Sequence, residues 1–403
     1  MTATEDRGMC PVVNFDHTVT RPVLSYFELL DDLRNQGAIC WNTAGSGSGF
    51  WAVTGYEYIR EIVQNTEIFT SASVDPFDPD PGYQLIPVNI DPPDHREYRR
   101  ALNPWFSPGA LEKIEPQIRD LARSLAADIA PRGGCNFVAD YSTPLSAGAF
   151  MISTGWPLED LPRFLEWVET LMSGFASTND KERIAAAGEE IQEYVMSLVD
   201  DRRRSPRDPQ TDFITYLLTK RVNDRELNLE EIISIFNQTM LGGFDTTRSQ
   251  LAYLMLQLAT HEDDRKRIAS DASLIPRAVE ESLRVNSILI NDGRKVSRDF
   301  DFHGCKMKSG DMVWLSPASA NRDPSVFPNP THFELEREHN PHLSFGSGIH
   351  RCIGAHLARR ELNIGVEEWH EVIPDYRLAE QSQIMERGFM LSISHLQLEW
   401  EVI

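Results

Sequence analysis

Apolar residues recur every three or four positions through most of this chain. That spacing is typical of amphipathic helices, which bury one face and expose the other. It is found in residues 23–36, 56–65, 228–264 and 355–369, within 91–108 after an initial turn, and in 109–204 with breaks at 131–134, 157 and 177–180. The pattern therefore predicts a mainly α fold.

Short alternating or β-branched runs interrupt the helices and predict strands. They occupy 39–42, 49–55 and 300–317, with a strand pair or turn at 388–394. We expect a small β-rich region built from about 38–55, 294–316 and 375–403. Residues 71–91 and 321–341 are rich in proline and predict irregular loops. Length alone would suggest two or three domains, and the sequence shows no internal repeat. We expect residues 1–403 to form one domain.

The longest helical run, 228–264, begins with Asn228 as a candidate N-cap and continues with Glu230 and Glu231 in its first turn. At a rise of 1.5 Å per residue, such a helix crosses the whole protein. Gly242 and Gly243 each cost about 1 kcal/mol relative to alanine in a helix interior. Backbone lying against a cofactor, or close packing of another helix, would compensate.

Acidic residues outnumber basic ones by 61 to 39 among 403 residues, for a formal net charge of -22. This excess disfavours binding to nucleic-acid phosphates, although it is also ordinary for a solvated enzyme surface. The first residues lack the features of a signal peptide, and no run of about 18 apolar residues follows. We expect a cytoplasmic protein with neither nucleic-acid nor membrane partners.

The five cysteines are Cys10, Cys40, Cys135, Cys305 and Cys352. They are widely separated, odd in number and without C-x-x-C spacing. This arrangement indicates neither a disulfide framework nor a zinc site.

Cys352 stands out because Gly346, Gly348 and Gly354 surround it and a predicted helix follows. Glycines allow positive φ and close approach of backbone to a flat ligand. A helix N-terminus favours a thiolate, and a cysteine thiolate can ligate haem iron axially. The alternative is a reduced, partly buried cysteine near a helix start.

The pattern F-G-x-G-x-H-x-C-x-G, from Phe345 to Gly354, resembles the haem-binding signature of the cytochrome P450 family. Other family landmarks follow in order over nearly the whole chain, which is similar to bacterial soluble members and to their camphor-hydroxylase branch. The resemblance implies the mainly α cytochrome P450 fold, with haem b between the long helix and the Cys352 loop. It places Phe345, Gly346 and Gly242 against the haem, and Cys352 on its iron.

The resemblance also implies which cations bind the haem propionates. His95 and Arg99, at i and i+4 of one predicted helix, match one such position, and Arg294 and His350 match two others. Alternatively, His95 and Arg99 belong to a solvated basic face with neighbouring arginines. Arg294 could likewise be a surface charge on a hairpin.

The family's oxygen-activating groove matches Gly242 to Thr247, with Asp245 and Thr246 as the catalytic residues that deliver protons. On its own, a threonine in the middle of a helix more often hydrogen-bonds a carbonyl one turn earlier. The implied reaction is insertion of one atom of O2 into a small, mainly apolar molecule such as a terpenoid or aromatic.

Substrate contacts are implied at six positions. Tyr83 lies in the irregular loop, where its hydroxyl could reach a substrate oxygen or only water, and Gln238 is the other polar candidate. The apolar candidates could equally be core residues. They are Leu241, Ile290, Phe389 and Met390.

Electrons would come from a ferredoxin and its NAD(P)H-dependent reductase, since we expect no fused reductase and a monomer. A basic docking patch could include Arg99, Arg100, Arg351, Arg359 and Arg360, unless these arginines are committed to haem and helix ends. A haem-thiolate protein that binds or senses a ligand without turnover is the alternative function. A haem-free helical binding module is a third.

Overall fold

The computed structural model describes residues 7–44, 49–175, 181–379, 383–388 and 390–402. Helices dominate these residues, as the spacing of apolar positions predicts. They are Ser25–Gln36 (α1), Tyr56–Gln64 (α2), Asp94–Leu102 (α3), Pro108–Leu111 (α4), Glu115–Ile129 (α5), Thr143–Thr154 (α6), Leu161–Phe175 (α7), Lys181–Arg204 (α8), Phe213–Leu218 (α9), Leu229–Thr260 (α10), Glu262–Ser270 (α11), Ile275–Val285 (α12), Pro317–Ala320 (α13) and Ala355–Val372 (α14).

The strands are short, and most come from the two ends of the chain. They are Val12–Val13 (β1), Arg21–Pro22 (β2), Ile39–Asn42 (β3), Phe50–Val53 (β4), Phe69–Thr70 (β5), Gly134–Asn136 (β6), Arg221–Val222 (β7), Arg225–Glu226 (β8), Asp292–Val296 (β9), Phe300–Phe302 (β10), Cys305–Met307 (β11), Met312–Leu315 (β12), Arg377–Leu378 (β13), Met385–Arg387 (β14), Ser392–Ile393 (β15) and Gln397–Glu399 (β16).

One six-stranded sheet, in the order β1-β3-β4-β12-β9-β5, joins the first 70 residues to the segment 292–315. The predicted segments 38–55 and 294–316 therefore meet in one sheet. The strands after residue 375 lie apart from it, in two three-stranded sheets ordered β13-β16-β6 and β15-β14-β2. The register of that last sheet places Glu386 opposite both Arg21 and Ile393.

Helix α10 crosses the core and begins where the sequence predicts. The Asn228 side chain accepts a hydrogen bond from the Glu231 N–H, and the Glu231 carboxylate accepts one from the Asn228 N–H, which makes a capping box. Most of its residues from Phe244 to Ala259 are buried because α6, α12 and α14 pack around it. None of the described helices is both long enough and apolar enough to cross a membrane.

Two local expectations differ from the structure. Helix α1 begins at Ser25 rather than Val23, because Arg21 and Pro22 form an edge strand and Leu24 turns the chain at φ 69°. The expectation of no disulfide is wrong for one pair, since Cys10 and Cys305 are bonded. The two cysteines are 295 residues apart in sequence, so the sequence does not indicate the pairing. In the fold, a β-bridge between Gly8 and Cys305 brings them together.

A buried charge network fixes the segment before the Cys352 loop. On α12, Arg284 and Glu281 are fully buried and paired, with 2.7 Å between Arg284 Nη2 and Glu281 Oε1. Arg337 Nε lies 3.0 Å from Glu281 Oε2. Arg284 also donates to the backbone carbonyls of Asn321 and Pro330. Glu281, Arg284 and Arg337 thus form one buried network that ties α12 to the segment before the Cys352 loop.

Replacing Arg284 with leucine is expected to lower the free energy of unfolding by about 3 kcal/mol or more. The change removes one partner from the buried Glu281 carboxylate. It also removes the donor to the backbone carbonyls of Asn321 and Pro330, and unpaired polar groups are costly in an apolar interior. Denaturant unfolding would measure the loss. Arg60→Ala, in an exposed ion pair with Glu57, is the control and should cost less than about 0.5 kcal/mol. Equal losses in both variants would contradict the expectation.

Candidate active site

The Cys352 loop folds back on itself before α14. The Cys352 N–H donates to the Phe345 carbonyl (2.8 Å), which closes the loop. Gly346 and Gly348 both have φ near +67°, and a Cβ on Gly348 would lie 2.8 Å from the Val63 carbonyl oxygen. Glycine is required at both positions for backbone geometry. The loop therefore presents Cys352 to one side without bulky neighbours.

The thiol of Cys352 faces an enclosed cavity, and this enclosure raises its pKa above the ordinary value. The Gly354 N–H and the charges of Arg99, Arg359 and Arg351 act in the opposite direction. The Gly354 N–H therefore favours the thiolate, as expected of a helix N-terminus, but the loss of hydration has the larger effect on the pKa. A positive metal ion bound to Cys352 would favour the thiolate further.

The cavity, of about 330 Å³, lies between α10 and the Cys352 loop. Gly242 and Thr246 of α10 line one side, and Phe345, Gly346 and Cys352 line the other. Leu102, Phe106, Ile288, Leu289 and Met390 contribute apolar walls. A thiol therefore faces a polar segment of helix across an otherwise largely apolar space.

The two adjacent glycines of α10 have different reasons to be glycine. A Cβ on Gly243 would lie 2.1 Å from a ring carbon of Phe150, so this position allows α10 to pack against α6. A Cβ on Gly242 would approach Gln238 Nε2 at 3.7 Å and would otherwise project into open space. Gly243 thus fits the explanation of close helix packing, whereas Gly242 borders the cavity in which the sequence predicts a cofactor.

Four basic side chains, two arginines and two histidines, lie at one end of the cavity. Arg99, Arg294 and His350 line it, and the His95 ring lies 4.2 Å from that of His350 between centroids. Arg99 has no carboxylate partner among the described residues. His95 Nε2 is buried with no hydrogen-bond partner in the same part of the chain.

The other two basic side chains, Arg294 and His350, have protein partners. Arg294 pairs with Asp292, with 2.6 Å between Nη1 and Oδ1. His350 Nε2 hydrogen-bonds Ser71 Oγ at 3.0 Å. Burial, together with neighbouring positive charge, lowers the pKa of His95 to about 4 and that of His350 to about 3. Both histidines are therefore neutral donors at neutral pH, which suits hydrogen bonds to a ligand carboxylate.

A flat cofactor with two carboxylates fits this arrangement. Arg99 offers an uncompensated guanidinium and His95 an unpaired buried nitrogen, and Gly242 leaves space above Cys352. The chemistry of these groups is that of haem carried by a cysteine ligand. Among the described residues, no cluster of three or more histidine, cysteine or acidic side chains offers a different metal site.

Asp245 and Thr246 are neighbours with different surroundings. The Thr246 hydroxyl donates to the Gly242 carbonyl (2.8 Å) at the cavity wall, the local bond that any mid-helix threonine can make. Asp245 is buried off the cavity lining and forms an ion pair with Arg248. Its Oδ2 has no partner in the described structure. Thr246 thus faces the site, and Asp245 lies behind it.

The structure brings only some of the expected substrate contacts to the cavity. Gln238 and Met390 line it. Tyr83 is 47% exposed on the loop, and Leu241 and Ile290 pack with the core rather than at the cavity wall. Phe389 lies outside the described residues. For Leu241 and Ile290, the packing therefore favours a position in the core over a contact with substrate.

Sequence reasoning missed Glu361, Ser71 and Arg248. Glu361 lines the cavity, and burial raises the pKa of its carboxyl well above the usual value, although hydrogen bonds with Ser146 and Thr247 act to lower it. The sequence did contain a signal for Glu361, because an acidic residue lies on the apolar face of α14. Ser71 and Arg248 carry no such signal, because their roles depend on contacts with His350 and Asp245.

The arginines of the expected docking patch are mostly paired. Arg359 Nε lies 2.6 Å from Glu280 Oε1, and Arg360 pairs with Glu115. Arg100 pairs with Glu97 at 2.8 Å, and Arg99 faces the cavity. Arg351 is exposed. The local excess of positive charge is therefore smaller than the sequence suggests.

The helical fold and a cavity between a glycine-bounded cysteine and a long helix define a haem-thiolate protein. The chain belongs to the cytochrome P450 family, because the family model described as Cytochrome P450 matches residues 162–371, more than half of the chain. It is a cytochrome P450 monooxygenase, and the resemblance stated from the sequence is confirmed at the level of the family. Membership implies haem iron, O2, an organic substrate and a redox partner.

Relatives cover most of the chain. The Probable cytochrome P450 127A1 of Sinorhizobium fredii is 31% identical over 88% of this chain and 84% of that protein. The Steroid C26-monooxygenase of Mycolicibacterium smegmatis is 30% identical over 84% of each. The crystal structure of CYP101J2 superposes with a TM-score of 0.90 at 29% identity, covering 100% of both chains. The expected cytochrome P450 fold is therefore confirmed.

The paired glycines of α10 provide a matched test. Gly243→Ala is expected to lower the free energy of unfolding by about 1–3 kcal/mol, because its methyl group overlaps the Phe150 ring. Gly242→Ala should not destabilise the protein, since alanine favours helix and the methyl group enters open space. It should instead alter the absorption spectrum of the haem-loaded protein. Denaturant unfolding and absorption spectra would check both, and the reverse pattern would contradict the assignment.

Proposed function

We infer that this cytochrome P450 binds haem b and uses O2 to oxygenate a small, neutral, mainly apolar molecule with one polar oxygen. The observation that carries the inference is the position of Cys352 across the cavity from Gly242 and Thr246. Cys352 Sγ would bind the haem iron. Arg99 and His95, with Arg294 and His350, would bind the propionates, and Phe345 and Gly346 would lie against the ring.

Bound haem would supply the activation of O2 and the transfer of one oxygen atom to the substrate. The protein would supply binding, orientation and protons. The Thr246 hydroxyl, now donating to the Gly242 carbonyl, would turn to donate a proton into the cavity. Asp245, which pairs with Arg248 and has an Oδ2 without a partner in the described structure, would relay a proton from bulk water to replace it.

The substrate class follows from the cavity wall on the α10 side. Pro87, Val88, Ile288, Leu289 and Met390 are apolar. Gln238 is the polar candidate there, because the Thr239 hydroxyl is already bonded to the Ile235 carbonyl (2.8 Å). A terpenoid or substituted aromatic with one hydroxyl or carbonyl group would suit this wall. Relatives described as a Steroid C26-monooxygenase and a Methyl-branched lipid omega-hydroxylase support an apolar substrate.

A ferredoxin with an NAD(P)H-dependent reductase is the proposed electron source. The exposed Arg351, next to Cys352, is the best-placed cation for docking an acidic partner, and Arg100 could exchange Glu97 for a partner carboxylate. We further propose a single-domain, cytoplasmic monomer. The net charge of -22 supports solubility and disfavours nonspecific association.

Replacing Cys352 with alanine tests the central assignment. The purified variant is expected to lose the red-shifted Soret band of the reduced carbon monoxide adduct and to form no oxygenated product. Loss of the thiolate ligand is the cause. Cys135→Ala, at a buried position away from the cavity, should keep both properties. Wild-type absorption and turnover in the Cys352 variant would overturn the proposal, and a colourless wild type would favour a haem-free binding protein.

The Thr246 hydroxyl is tested by Thr246→Ala. Consumption of NADPH should continue, but the yield of oxygenated product per NADPH should fall by about tenfold or more, because general acid–base groups typically contribute at least that factor. Thr239→Ala, on the same helix and also lining the cavity, is the matched control. Equal coupling of NADPH to product in both variants would contradict the role of Thr246. Wild-type protein that consumes no NADPH would favour a ligand sensor.

A further inference from the structure

A buried carboxylate joins three elements on one side of the cavity. Glu386, in β14, is fully buried, and its Oε1 accepts a hydrogen bond from the Tyr26 N–H at the start of α1 (3.0 Å). Its Oε2 accepts a hydrogen bond from the Tyr253 hydroxyl on α10. Helix α1 has no cap from its own preceding side chain, so Glu386 supplies one from a distant strand.

Strand β14 leads directly into the cavity wall. Met390 lies in the turn that follows, of which Gly388, Met390 and Leu391 are described, and it lines the cavity. The Leu391 N–H donates to the carbonyl of Ile288 (2.9 Å), another lining residue. The strand then returns as β15, with Ile393 opposite Glu386. The position of Glu386 therefore sets the position of two cavity residues.

The turn has little room to move independently of Tyr26. A Cβ on Gly388 would lie 1.9 Å from the His17 carbonyl oxygen and 2.3 Å from the Tyr26 hydroxyl. That hydroxyl donates to the same His17 carbonyl (3.0 Å). The backbone of the turn thus lies against Tyr26, the residue whose N–H Glu386 binds.

The charge of Glu386 is only partly offset by its surroundings. Burial raises the pKa of Glu386, whereas the Tyr253 hydroxyl, the N–H groups of Tyr26 and Leu24, and the charge of Arg21 lower it. An apolar side chain of similar size could fill this space, but it would leave the N–H groups of Tyr26 and Leu24 and the Tyr253 hydroxyl without this acceptor. It could not fix β14 against two helices at once, because apolar contacts are not directional.

We propose that Glu386 is a positioning residue for substrate recognition. Through Tyr26 and Tyr253 it holds Gly388, Met390 and Leu391 in place. Met390 and Ile288 thereby keep the spacing that selects the substrate. This inference rests on the proposed function, in which the cavity receives the substrate beside haem.

The test uses the haem-loaded protein and two azoles that ligate haem iron. Imidazole is small and reports only access to the iron, whereas the phenyl ring of 4-phenylimidazole extends toward the cavity wall. In Glu386→Gln, the spectral Kd of 4-phenylimidazole is expected to rise about tenfold, the factor that one unpaired buried donor produces. The Kd of imidazole should change less than about twofold.

Two further variants keep the test informative. Met385→Ala alters the neighbouring residue of the same strand, which is 47% exposed, and should leave both Kd values unchanged. Tyr253→Phe removes one donor to Glu386 and keeps the ring. It should raise the Kd of 4-phenylimidazole selectively, and it replaces Glu386→Gln if that variant does not fold.

The outcomes separate this inference from the proposed function. An unchanged ratio of the two Kd values in both Glu386→Gln and Tyr253→Phe overturns the role of Glu386, even if the proteins are less stable. A parallel loss of affinity for both azoles does the same, because it indicates general damage to the haem site. If the wild type shows no spectral response to either azole, the proposed haem site itself is wrong.

Discussion

The site depends on how closely α10 packs against α6. The absence of a side chain at Gly243 allows the Phe150 ring to lie where a Cβ would be, and the approach fixes the depth of α10 in the core. Gly242, one residue earlier, then faces the space above Cys352. Because protein interiors are densely packed and transmit small shifts, a change at the α6 side would move the cavity side as well. One pair of glycines thus sets both the packing of the helix and the height of the cavity.

The arginines that line the cavity differ in their partners. Outside the cavity, Arg359 is tied to Glu280 and Arg284 to Glu281, and at the cavity Arg294 is tied to Asp292 in the same way. Arg99 lacks such a partner among the described residues. An ion pair within the protein fixes structure, whereas an uncompensated guanidinium is available to a ligand. The missing carboxylate partner, more than the number of arginines, marks Arg99 as the cavity cation available to a ligand carboxylate.

Local signals in the sequence predicted much of the fold. The N-cap at Asn228 and the strands at 39–42 and 50–53 depend on nearby residues and were readable. The bond between Cys10 and Cys305 and the partners of Glu386 depend on contacts across the chain and carry no local pattern. In the site, a motif around Cys352 was sufficient to find the cavity, but periodicity could not separate wall residues from core. Leu241 and Ile290 were candidates for the wall, and they pack with the core.

The unpaired groups at Arg99 and His95 have a thermodynamic consequence for the protein before it is loaded. Desolvated polar groups without partners destabilise the empty protein, and a ligand that brings carboxylates removes this penalty only in the native state. Cofactor uptake and folding are then linked by mass action. The cellular supply of cofactor would set how much of the newly made chain survives proteolysis, so abundance itself becomes a readout of occupancy.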